Sequence, residues 1–81
     1  GEEFAILLPE TDSAGAAHVA ERMRRSLNDV SIPLSDGATI HVASSFGVAE
    51  LASDQVGEDL LRAADTALYR AKDEGKNRVV A

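Results

Sequence analysis

Apolar and polar positions along this chain change their period several times, and each change marks an element. Phe4 to Leu8 is a short unbroken apolar run closed by Pro9, a length and boundary that suit a buried strand better than a helix. Thr11, Asp12 and Ser13 then offer side-chain oxygens where a helix should start. From there Ala16, Ala20, Met23 and Leu27, with Val19 beside them, recur at helical spacing, while Glu21, Arg22, Arg24 and Arg25 take the other faces. Asn28-Asp29 closes this first helix. Val30 to Leu34 reads as a short strand that Pro33 keeps at an edge, and Ser35-Asp36-Gly37 reads as a turn.

The segment ATIHVASSFGVAEL, Ala38 to Leu51, alternates with a period of two. Ile40, Val42, Ser44, Phe46 and Val48 share one face; His41, Ala43, Ser45, Gly47 and Ala49 share the other. The second face is small, so a helix or another backbone can approach it closely. The segment is expected to be a central strand, with Gly47 a candidate bulge. After a loop from Ala52 to Gly57 the period returns to that of a helix. Leu61, Ala64, Leu68 and Ala71 make its stripe, and Leu60 and Ala67 widen it. Glu58 and Asp59 suit the positive N-terminal end of this helix, Lys72 lies in its last turn, and Gly75 is placed to end it. Arg78 to Ala81 then begins a last strand. The expected order is β-α-β-β-α-β, an α+β fold with helices packed on a mostly antiparallel sheet.

Composition narrows the function classes. The 81 residues allow at most one small domain, and a chain of that size buries only about 60–65% of its unfolded surface. A net charge of −6 disfavours a nucleic-acid polymer as partner, because such binding needs a basic face. Phe4, Phe46 and Tyr69 are the only aromatic residues, too few for a base-stacking platform. No cysteine is present, which excludes disulfides and thiolate metal sites and fits a reducing compartment. The apolar runs are too short to span a bilayer, so no membrane partner is expected for this segment. A cytoplasmic location is the expectation.

Three stretches then converge. Gly1-Glu2-Glu3-Phe4 followed by AILLPETD, the central SSFGVAEL, and the closing LLRAADTALYRAKDEGKNRVV together resemble the GGDEF family of diguanylate cyclases. The similarity runs over essentially the whole chain, and the closing helix with EGKNRVV is its most specific part. The resemblance implies that residues 1–81 are the C-terminal half of a GGDEF domain with a nucleotide-cyclase, palm-like fold. Gly1 matches the second glycine of the signature, which sits on a hairpin turn. The first strand, two helices and the incoming hairpin arm are expected upstream.

Family members join two GTP molecules into cyclic di-GMP and release pyrophosphate, with Mg²⁺ at the site and two domains facing each other. The resemblance therefore implies GTP as substrate, Mg²⁺ as cofactor and a second GGDEF domain as partner in a homodimer. It gives Glu2 the metal-binding and proton-accepting role, and gives the adjacent Glu3 a share of the metal work. Gly1 is implied to let backbone approach the nucleotide. Lys72 and Lys76 match the two basic positions that hold the triphosphate. The second is often arginine in the family, so Lys76 keeps the charge without the two-pronged donor geometry. Without the resemblance, adjacent glutamates read as a solvated turn, and lysines at a helix end as complements of its dipole. Arg22 matches a helix position that in some members serves an inhibitory cyclic di-GMP site; an exposed helix arginine is the plainer reading. The chain alone is expected to be inactive as a cyclase and prone to self-association. A degenerate GGDEF domain serving as a nucleotide-binding or protein-interaction module is the alternative.

Overall fold

The computed structural model describes residues 3–81. Its order is α1 (Ser13–Asn28), β1 (Ser31–Pro33), β2 (Thr39–His41), β3 (Phe46–Gly47), α2 (Gly57–Asp73) and β4 (Val79–Val80). Both helices fall where the apolar stripes place them. Asp12 caps α1, its Oδ1 accepting from the Gly15 amide at 2.7 Å. A second carboxylate serves the same end: Glu50 Oε1 accepts from the Ser13 amide at 2.6 Å. At the start of α2, Asp59 reaches back to the Val56 amide at 3.0 Å. Each bond satisfies an amide that the first helical turn leaves without a backbone partner.

The α+β class holds, with the sheet divided into two small pairs. β1 and β2 form an antiparallel hairpin in the register Ser31↔His41, Ile32↔Ile40 and Pro33↔Thr39. Its turn is fastened by the Leu34 amide to Ala38 O at 2.8 Å and the Ala38 amide to Asp36 Oδ1 at 2.9 Å. β3 and β4 pair in parallel, Phe46 with Val79 and Gly47 with Val80, with α2 as the crossover between them. The bonds Phe46 N–H to Arg78 O at 2.9 Å and Val48 N–H to Val80 O at 2.8 Å extend this ladder.

Two expectations need correction. The apolar run Phe4 to Leu8 forms no strand among the described residues. A strand exists only where a neighbour takes its backbone bonds, and among the described residues none bonds to this run; Phe4 is 85% exposed and Leu7 75%. The alternating segment is also not one continuous strand. It is divided between β2, which belongs to the hairpin, and β3, which belongs to the parallel pair.

The core sits where both helices meet the parallel pair: α2 packs on β3 and β4, and α1 packs on β4. Ala20, Ala67 and Ala71 are its buried members. Gly47 makes this closeness possible. A Cβ there would coincide with the backbone of Ala64 and Leu68, so the strand touches the helix directly. The small face read from the sequence does have the role expected of it.

Candidate functional site

The end of α2 is built to stop sharply and to present cations. Glu74 is the cap residue, and Gly75 follows with φ +122°. The Lys76 amide then donates to Ala71 O at 2.9 Å. A left-handed residue followed by a bond five residues back is the Schellman arrangement, in which glycine avoids the clash a Cβ would bring. Lys72 lies in the last turn before this stop and Lys76 directly after it, both exposed. Arg78 folds back over the same loop, its Nε donating to Lys76 O at 3.2 Å.

Glu3, near the start of the chain, comes to this place. Lys72 Nζ donates to Glu3 Oε2 at 3.0 Å, across 69 positions of sequence. Acid and ammonium predicted from two distant stretches therefore stand in contact. The pair is about half exposed at each end, so solvent screening keeps its own contribution to stability small. Gly1 and Glu2 lie outside the described residues. Arg22 is an exposed residue of α1, and Arg62 pairs with Asp59 at 3.6 Å.

Among the described residues no group of three or more His, Cys, Asp or Glu stands together. Glu3 nevertheless offers carboxylate oxygens of the hard type that Mg²⁺ takes. Mg²⁺ is commonly held by one or two carboxylates together with substrate phosphates and water, so this sparing donor set fits such a shared site. A shallow groove of about 500 Å³ lined by Ser13, Val48, Glu50, Thr66 and Arg70 contains neither Glu3, Lys72 nor Lys76. The candidate cations thus lie on open surface.

Three residues near the site carry more than the sequence reading gave them. Arg24 Nη1 donates to Asn77 Oδ1 at 3.0 Å, and the Asn77 amide donates to Ser45 Oγ at 3.0 Å. Arg24 is itself held by Glu21 in a two-pronged contact at 2.9 and 2.6 Å. The partners are 32 and 53 positions apart, so no local spacing announces them. The one local signal is Asn77, since asparagine tolerates left-handed backbone better than most residues.

A family model for the diguanylate cyclase GGDEF domain matches residues 1–78. The chain is 41% identical over 80 residues to Diguanylate cyclase A of Treponema denticola, covering 98% of this chain and 21% of that protein. It is 42% identical over 81 residues to Diguanylate cyclase DgcM of Escherichia coli, covering 100% of this chain and 19% of the relative. Response regulator PleD of Caulobacter vibrioides is 37% identical over 82 residues, covering 99% and 18%. This chain belongs to the GGDEF family of diguanylate cyclases, nucleotidyltransferases that make cyclic di-GMP. It spans about a fifth of the length of these curated relatives.

Proposed function

We propose that residues 1–81 supply the signature acids and the triphosphate clamp of a diguanylate cyclase that condenses two GTP into cyclic di-GMP and two pyrophosphates. The 3.0 Å contact between Glu3 and Lys72 carries this reading, because it joins the signature to the end of α2. Glu2 and Glu3 hold Mg²⁺, and Glu2 accepts the proton of the attacking 3′-hydroxyl. Gly1 gives the nucleotide room beside the backbone. Lys72 and Lys76 neutralise the leaving phosphates, stabilising charge as it develops there. Mg²⁺, when bound, supplies further charge neutralisation on the triphosphate. A second GGDEF domain brings the other GTP, so the reaction needs a facing pair.

The chain by itself is expected to make no cyclic di-GMP. Chromatography of products after incubation with GTP and Mg²⁺ tests this, and turnover would overturn it. Binding of GTP is expected to weaken about tenfold in Lys72→Ala or Lys76→Ala, the loss of one charge-assisted contact. Unchanged binding in both variants removes the clamp from the reading.

A further inference from the structure

We propose that Arg24, Ser45 and Asn77 form a positioning bridge that locks the loop carrying Lys76 and so fixes where its ammonium meets phosphate. This rests on the reading of Lys72 and Lys76 as a triphosphate clamp. The starting observation is backbone strain. Gly75, Lys76 and Asn77 have φ of +122°, +63° and +48°, three successive residues in the left-handed half of conformational space. The helix stop requires this only of Gly75. Lys76 has no side-chain means of easing it, and a lysine persists there only where its surroundings over-determine the backbone.

Those surroundings come from three elements. The Lys76 amide is tied back to Ala71 O at 2.9 Å. One residue later the Asn77 amide is tied to Ser45 Oγ, just before β3, and its side chain to Arg24 on α1, both at 3.0 Å. One residue later again, Arg78 O accepts from the Phe46 amide at 2.9 Å. Arg24 is a suitable anchor. Its side chain is only 19% exposed, and Glu21 fixes the guanidinium from the opposite prong, leaving Nη1 for Asn77. Lys76 is therefore clamped through its backbone on both sides while its side chain remains exposed. Binding an anion then requires ordering of the side chain alone, since the loop is already set.

The test uses the 81-residue chain, with inorganic pyrophosphate as probe and amide hydrogen exchange as a second measurement. Arg24→Met, Ser45→Ala and Asn77→Gly each remove part of the bridge. Asn77→Gly keeps the backbone conformation accessible, so it remains informative if another variant folds poorly. Exchange protection at the Lys76 and Asn77 amides is expected to fall about tenfold, and pyrophosphate binding several-fold, roughly the loss of one charged hydrogen bond. Lys76→Ala is expected to weaken binding in the wild-type background and to matter much less beside Asn77→Gly, a coupling that general destabilisation does not produce. Arg24→Lys should not restore binding, because an ammonium cannot pair with Glu21 and reach Asn77 together. Wild-type protection and binding in all three bridge variants overturns the bridge. So does a Lys76→Ala effect that is simply additive with Asn77→Gly. Loss of protection in a chain that does not bind pyrophosphate at all supports the lock and sinks the clamp reading instead.

Discussion

Arg24 follows Glu21 by one helical turn, so its guanidinium folds back onto the Glu21 carboxylate. That hydrogen-bonded contact, with a smaller share from Arg25, holds the Glu21 carboxyl well below its ordinary 4.5, at about 2. A carboxyl whose folded value is depressed stabilises the fold fully above its unfolded value and loses that contribution as pH falls toward the folded one. The window here runs from about pH 4.5 down to about pH 2. Carbon-detected titration of the Glu21 carboxyl should show a midpoint near the bottom of that window, returning to the ordinary carboxylate range in Arg24→Met; an ordinary midpoint in the wild type refutes the contact. Because Arg24 also reaches Asn77, acid should loosen the Lys76 loop over the same interval. At Gly75 the φ of +122° makes alanine costly by about 1 kcal/mol or more, read as a lower urea midpoint. Single residues were partly legible in the sequence. Glycine at a helix stop announces itself, and so do lysines beside it. Ser45 looked like one more small residue on a strand face, because its hydroxyl acts on an amide 32 positions away.

Elements differ in how openly they declare themselves. Helices α1 and α2 were legible because a stripe of apolar residues and a polar cap are both local. Asp12→Ala should cost about 1 kcal/mol of stability, seen as reduced helical circular dichroism and a lower urea midpoint. Glu50 moderates that loss, since it caps the neighbouring Ser13 amide from a distant loop. Strands were less legible. Alternation over Ala38 to Leu51 reports which side chains share a face, but not which backbone lies beside each residue, so the division between β2 and β3 was hidden. The run Phe4 to Leu8 shows the same gap, being apolar enough for a strand without a described neighbour to pair with. Gly47 is the position where face and neighbour agree. Gly47→Ala puts a methyl into the backbone of α2 at Ala64 and Leu68, neither of which can yield as a flexible side chain would. A loss of about 1–3 kcal/mol is expected from such overpacking, enough to abolish cooperative unfolding in a domain this small. A sharp urea transition with an unchanged midpoint refutes the packing of β3 on α2.

At the scale of the molecule, shape governs behaviour. The chain measures 53 × 22 × 18 Å with a radius of gyration of 14.6 Å, where a compact domain of this length has about 12 Å. Its accessible surface is 6175 Å², against about 4,700 Å² expected for a compact protein of this mass. Large apolar side chains take part in that exposure: Phe4, Ile6 and Leu7 near the start, and Ile32, Leu34 and Ile40 on the hairpin, are all exposed. Among the described residues both sheets have two strands, so each strand there has an unpaired edge. Self-association at micromolar concentration is therefore expected in sedimentation velocity, and a monomer that stays compact across the concentration range refutes it. The parallel pairing of β3 with β4 has a separate consequence, for the order of folding. Two strands joined by a helix can zip together only after the chain between them has turned back, so their junction should be among the last parts to form. Stopped-flow refolding would then show helical signal arriving first, with the Phe46 environment changing in a later, slower phase. Ribosomal synthesis imposes the same sequence of events, since the second strand of the pair emerges only after its partner and the helix between them.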